Sequence, residues 1–303
     1  MIDFVGKRQW FFLISGILIV AGIISLAVFG LKPGIDFVGG TSMTLQFSPA
    51  VEQSQLREEM AKLGYDEATI QNAGEGSFII HTREITSKDA SELAEKLGAE
   101  LDSQVEITDY YSALPTIGAE TARNAIIAVI IAAVAMLFYI VWAFRRMPSP
   151  FRWGTCAVIA LVHDVFIIVG IFSLLGLLAG VEINALFITG LLAVVGYSIN
   201  NTVVIFDRIR ENVSRHISPD FAVTVNSSIV ETLGRSLNTS LTTLFVILAL
   251  FLFGGATIHY FVLVLLLGVI FGTYSSVCIS SQLLVVWEKR EWSALLPWAK
   301  RTA

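Results

Sequence analysis

The chain has 303 residues, of which 55% are hydrophobic and only 15% charged, and its mean hydropathy is +0.73. That excess of apolar residues exceeds what a soluble core of this size needs, which excludes an ordinary soluble domain and indicates an integral membrane protein. The net charge of −5 hides a sorting, with Glu and Asp concentrated between the first two apolar runs and Lys and Arg beside the other loops. Cys156 and Cys278 both fall inside apolar runs and are expected to be packed thiols, with no disulfide framework or metal-ligand spacing.

Residues 1–9 precede a first apolar run at 10–30 and carry Lys7 and Arg8. A run of about 20 residues is longer than the 7–15 of a signal-peptide core, and no small-x-small site follows Ala27, so an uncleaved membrane helix is predicted. Further spans are predicted at 122–144, 155–178, 185–206, 235–253 and 259–287, giving a six-helix bundle. The last is long enough to tilt or to run past the bilayer. Lys7 and Arg8, Arg145, Arg146 and Arg152, Arg208, Arg210 and Arg215, and Lys289, Arg290, Lys300 and Arg301 all fall on one side, whereas the loops around Glu182 and Gly255 have no Lys or Arg. Both termini, a loop at 207–234 and a tail at 288–303 are therefore expected in the cytoplasm, with 31–121 on the outer side of the membrane.

The segment 31–121 reads as strand 41–47, helix 49–63, strands 68–72 and 78–82, helix 87–101 and strand 105–110. This βαββαβ order predicts a small ferredoxin-like α+β domain. Ser48 before Pro49 marks the first helix start, and Thr86 with Asp89 forms a capping box with a shorter acid. His81 has no second His or Cys near it and no phosphate-cradling loop accompanies it, so a handle for a partner is expected there rather than a catalytic or metal site. Between the first span and the domain, GIDFVGGT places Gly34, Asp36, Gly39 and Gly40 in a linker that reads either as a turn needing glycine or as a hinge.

Polar residues inside the spans carry the functional reading. The run VGYSINNTVVIFDRIREN starting at Val195 holds Ser198, Asn200, Asn201 and Thr202, VIALVHDV holds His163 and Asp164, and GRSLNTSLTT holds Arg235. With a rise of about 1.5 Å per residue, Asp164 lies roughly 13 Å into its span and Asn201 within about 8 Å of the same edge, so both belong near one level. Arg235, Asn238, Thr239 and Thr242 follow i, i+3, i+4, i+7 and share one stripe, as do Tyr197, Asn201, Val204 and Arg208. Ser240 and Thr243 are expected to bond back to their own helix. A buried carboxylate has to be paired, wetted or protonated, and one that alternates between forms as an Arg approaches or retreats can carry ions. No Ser-His-Asp order, zinc spacing, Walker loop or dinucleotide fingerprint is present, so no catalytic residues, cofactor or metal are predicted, and no nucleic acid.

Six spans, one outer domain after the first, GIDFVGGT, the His163-Asp164 pair, GYSINNTVVIFDRIREN and RSLNTSLTT together resemble the SecF family of the bacterial SecDF accessory complex, within the resistance-nodulation-division superfamily, over nearly the whole chain. The resemblance implies a protein-transport subunit that pairs with SecD, docks on the SecYEG channel beside YajC, and uses the proton or sodium gradient to help draw unfolded exported polypeptides across the bilayer. In that family the fourth-span motif usually reads Asn-Asp-Thr, and its Asp joins a SecD aspartate and a fifth-span Arg in ion passage. Here the position is Asn201, which hydrogen-bonds but cannot titrate, while Arg235 matches the Arg. Three readings stay open: passage through the partner's carboxylate with Arg235, substitution by Asp164, or loss of coupling. A small-molecule or lipid exporter of the same superfamily and a non-transporting assembly factor are the competing functions.

Overall fold

The computed structural model describes residues 2–292; Lys300 and Arg301 lie outside them. Six helices are long and apolar enough to cross a membrane: α1 (Arg8–Phe29), α5 (Pro115–Ala143), α6 (Pro150–Ala179), α7 (Ala185–Ser214), α8 (Phe221–Phe253), and α9 (Ala256–Ser275) continued through a π turn (Ser276–Ser280) into α10 (Ser281–Lys289). Several run beyond the apolar stretches that announce them. The expected loop at 207–234 shrinks to 215–220, because α7 and α8 both project past the hydrophobic residues. Ion pairs Asp207–Arg210, Arg208–Glu211 and Glu211–Arg215 at helical spacing sustain the end of α7, and Asp220 accepts from Ala222 N at 2.9 Å to cap α8. Hydropathy reports where a helix meets lipid, not where it stops.

The domain between α1 and α5 contains a short α2 (Ile35–Val38), β1 (Gly40–Ser48), α3 (Gln53–Lys62), β2 (Thr69–Gly74), β3 (Ser77–Thr82), α4 (Ser87–Glu100) and β4 (Gln104–Ala113). Its sheet has the order β2-β3-β1-β4, antiparallel throughout, which is the ferredoxin-like arrangement. Alternate β1 residues Met43, Leu45 and Phe47 turn one face toward Leu56, Met60, Leu93 and Leu97 of the two helices. Thr86 and Asp89 form the capping box of α4, with both arms at 3.2 Å. Helix α3 differs from expectation: it starts at Gln53, not at 49, since Glu52 is the cap and the Gln55 side chain accepts from its amide at 3.3 Å. A strand-end Ser-Pro resembles a helix start locally, but the reciprocal cap three residues on decides where the turn closes.

Two apolar clusters fill the bundle. One gathers Ile140, Phe144, Trp153, Leu161, Phe206 and Ile229 away from the sheet domain, and the other gathers Ile168, Phe172, Phe187 and Val264 near it. On α6, Asp164 falls between the two. Helices α1 and α6 touch backbone to backbone, where a Cβ on Gly170 would lie 2.6 Å from Gly22 Cα, with Ser25 and Ser173 hydroxyls 2.8 Å apart beside it. Small residues allow that approach, which is what holds helices together in lipid. Gly170→Val is expected to cost about 1–3 kcal/mol through overpacking, read as a lower thermal midpoint in detergent; an unchanged midpoint would show the contact to be dispensable.

Candidate functional site: a polar layer inside the bundle

Asp164 of α6 is fully buried among three hydrogen-bonding neighbours. Ser198 Oγ of α7 and Ser275 Oγ of α9 donate to its Oδ2 at 2.6 and 2.7 Å, and its Oδ1 lies 2.9 Å from His163 Nδ1. The buried His163 ring stacks against Tyr274, with centroids 6.2 Å apart, while the Tyr274 hydroxyl reaches Phe11 O and Ser15 Oγ of α1, both at 3.1 Å. Three helices thus meet at one carboxylate, and α1 is joined to them through Tyr274. His163 Nε2 has no hydrogen-bond partner among the described residues. Ser275 is the last residue before the π turn, a local widening of the helix that recurs at functional sites. There the Ser281 hydroxyl and the Gln282 amide donate to carbonyls five residues back, at 2.8 and 3.1 Å.

A second knot joins α7, α8 and α9. The Asn201 amide donates to Ser240 Oγ at 3.3 Å and Thr273 Oγ1 at 3.4 Å, Tyr197 OH donates to Ser240 Oγ at 3.1 Å, and the Ser240 and Thr273 hydroxyls are 2.7 Å apart. Ser240 therefore corrects the expectation of back-bonding: it reaches across helices, whereas Thr243 donates to Thr239 O at 3.0 Å. Ser198 and Asn201 are one turn apart on α7, and Ser275 and Thr273 two residues apart on α9, so the two knots share a level. The stripe Tyr197, Asn201, Arg208 faces α8, where Arg208 also pairs with Glu231 at 2.5 Å.

The remaining expected members lie elsewhere. Asn200 is exposed, because the inward positions 198, 201 and 202 turn it to the opposite side of α7. Arg235, Asn238, Thr239 and Thr242 share a stripe, but it is exposed: the edge of α8 that meets α7 and α9 is Thr232, Ser236 and Ser240. Thr242 donates to Asn238 O and Thr239 O of its own helix at 3.0 and 2.9 Å. Spacing tells which residues share a stripe, not which stripe faces inward. The contributions of Thr273, Tyr274 and Ser275 went unnoticed, although TYSSVCISSQ inside an apolar span was a visible signal.

A second charged cluster lies where the sheet domain meets the bundle. His81 Nδ1 of β3 is 2.6 Å from Glu182 Oε2 in the α6–α7 connection, and Lys32 Nζ, 3.4 Å from Glu182 Oε1, donates to Thr69 Oγ1 at 2.9 Å. Beside it the GIDFVGGT segment is tied down: Gly34 N donates to Ile183 O at 2.8 Å, Ile183 N to Lys32 O at 2.9 Å, and Asp36 Oδ2 accepts Ala185 N, the first amide of α7, at 2.9 Å. Gly40, at φ +132, sits so close to β3 that a Cβ would be 2.5 Å from Thr82 O. His81 and Glu182 are 101 residues apart, a pairing that no sequence pattern announces. Among the described residues no group of three or more His, Cys, Asp or Glu is arranged to hold a metal.

Six apolar helices, a polar layer among five of them and one ferredoxin-like domain define a polytopic membrane protein whose bundle carries ionisable groups at its centre. The family model described as protein export membrane protein SecD/SecF, C-terminal, matches residues 93–290, and the SecD/SecF GG motif matches residues 24–51. The chain is 43% identical over 303 residues to protein translocase subunit SecF of Thermobaculum terrenum, covering 96% of this chain and 95% of that protein. It is 39% identical over 306 residues to the SecF subunit of Anaerolinea thermophila, covering 100% and 98%. Among solved structures, SecDF of Thermus thermophilus, described as a translocon-associated membrane protein, superposes with a TM-score of 0.84 at 35% identity, over 95% of this chain and 39% of that one. The chain belongs to the SecD/SecF family of protein-export membrane proteins, as a subunit of the SecF type.

Burial pushes the Glu182 carboxyl up, but the hydrogen bonds from His81 and Thr69 and the neighbouring charge of His81 and Lys32 outweigh it and hold the group below its usual 4.5. A depressed carboxylate contributes stability that is complete above the unfolded value and fades as pH falls through the folded one. Hydrogen exchange at the Gly34 and Ile183 amides is therefore expected to accelerate as pH drops below about 4.5 once the intrinsic rate is divided out, and Glu182→Gln is expected to remove that dependence. The same dependence in the variant would exclude the carboxylate as its source.

Proposed function

We propose that the chain serves as the SecF-type partner of SecD in the Sec translocase, helping unfolded polypeptides leave across the bacterial inner membrane at the expense of the proton or sodium gradient. Both termini lie in the cytoplasm and the sheet domain outside, facing the exported chain, with SecYEG and YajC as further neighbours. In SecDF of Thermus thermophilus the aligned region is 39% of one longer chain, which fits a subunit that acts with a second half.

The observation carrying this reading is the open polar stripe of α8. Only 11% of the most apolar window of α8 is buried, against 50% for α6 and α7, and Arg235 has neither ion pair nor hydrogen bond among the described residues. An unpaired guanidinium at the membrane is costly, so such groups pair or reach water. A carboxylate on a SecD helix packed against α8 supplies the pair and, alternating between protonated and ionised, the ion step. Asn201 cannot titrate; its amide instead ties α7 to α8 and α9, so that a change at Arg235 is transmitted to the knot around Asp164. The inference is a coupling of charge state to helix packing, not a chemical reaction.

In vesicles with the reconstituted complex, Arg235→Ala is expected to abolish gradient-stimulated export; undiminished stimulation would remove Arg235 from the mechanism. Asn201→Asp is expected to preserve or raise ion flux, since it adds a titrating group beside Ser240 and Thr273; lost flux would make the amide's hydrogen bonds the essential feature. A proton or sodium ionophore that leaves this chain's benefit to export intact would favour an assembly factor instead.

A further inference from the structure

Between α5 and α7, at the end of the bundle next to the sheet domain, lies a cavity of about 380 Å3 bounded by 13 residues, none with a polar side chain. Phe37 of α2, Val169 of α6, Ile126 and Ile130 of α5, and Phe187 and Leu191 of α7 are among its lining. Its mouth opens toward the membrane, for Ile126 and Ile130 are 64% and 56% exposed. An apolar cavity of roughly 150 Å3 already stays dry and takes up a small hydrocarbon, and one left vacant forfeits the dispersion contacts of its whole lining. A lining of this kind at membrane depth suits a hydrocarbon chain.

Charge identifies its headgroup. Arg123 is the only Lys or Arg in α5, lies three and seven residues before Ile126 and Ile130, and so stands on the same stripe as the mouth of the cavity. It is exposed and has no ion pair or hydrogen bond among the described residues. It lies about 10 Å along the axis from Ile130, toward the helix start, where a long basic side chain reaches the phosphate level. Lys32, between the lining residues Leu31 and Pro33, is already held by Glu182 at 3.4 Å. We propose that this cavity is a binding site for one phospholipid with an acidic headgroup, its phosphate on the Arg123 guanidinium and one acyl chain between α5 and α7. The lipid then braces α5 against α7 and against Phe37, in the segment that joins the sheet domain to the bundle.

The test is photocrosslinking of the full chain in nanodiscs, with phosphatidylglycerol or phosphatidylcholine carrying a diazirine in the acyl chain, followed by peptide mapping. Crosslinks are expected to concentrate on residues 122–130 and 183–191 and to favour phosphatidylglycerol about fivefold, the factor one interfacial Arg contributes toward an acidic lipid. Arg123→Gln is expected to erase the preference while keeping the crosslinks. Filling the cavity with Ala125→Phe is expected to remove the crosslinks at an unchanged thermal midpoint. Should that variant not fold, Ile188→Phe from the opposite wall replaces it, and an excess of unlabelled phosphatidylglycerol must still compete in the wild type. Crosslinks spread evenly along the outer face of α5, or equal capture of both lipids, would overturn the proposal. So would loss of the crosslinks when SecD is added, which would make a protein helix the occupant.

Discussion

A carboxylate in the middle of a helix bundle has no water to fall back on, and the arrangement of this protein follows from how Asp164 is satisfied. Two serine hydroxyls from different helices and the neighbouring imidazole saturate it, and each fixes the rotation of the helix that supplies it. Ser198 sets the face of α7, Ser275 sets that of α9, and Tyr274 behind His163 brings in α1. In lipid, where apolar contacts do not by themselves favour one helix neighbour over another, such a polar knot gives the packing its register. The π turn after Ser275 belongs to the same constraint, since it lets α9 present Ser275 to Asp164 and still deliver α10 to the far end. There the ion pairs Arg152–Glu288, at 2.9 Å, and Arg8–Glu291 close the bundle.

The second constraint is where the sheet domain sits. It is not merely tethered by two linkers: His81 and Lys32 converge on Glu182, and Asp36 holds the first amide of α7. Glu182 belongs to the connection between the helices that carry Asp164 and Asn201. A shift of α6 against α7 in the polar layer is therefore felt at the base of the domain through a few residues of backbone. This is a short path from the membrane interior to the base of the sheet domain.

The exposed faces complement the buried ones. Helices α5 and α8 bury only 6% and 11% of their apolar windows, and each carries a cation, Arg123 or Arg235, without an ion pair or hydrogen bond among the described residues. The two differ in their surroundings. Arg235 stands among Asn238, Thr239 and Thr242, a polar stripe suited to another protein's side chains, whereas Arg123 stands over an entirely apolar cavity suited to lipid.

Much of this was legible in the order of residues alone. Periodicity two and periodicity 3.6 yield the βαββαβ domain, because burial against one face imposes those repeats wherever a strand or helix is used, and unbroken apolar runs of about 20 residues yield the six spans; the motifs around Asp164, Asn201 and Arg235 point to the family. Helix ends at Ser214 and Phe221 were not legible, since an amphipathic extension in water has no hydropathy signature. Nor was the inward edge of α8, which passes through Ser240 rather than Arg235. The rotation of a helix is chosen by its neighbours, and its own residues fix only which of them lie together. The His81–Glu182 pair and the cavity below Arg123 likewise exist only once distant segments meet. The chain by itself determined which elements form, that they lie in a membrane, and which polar groups need partners; the tertiary structure alone decided who those partners are, because pairing across helices depends on relative rotation and depth that no local pattern encodes.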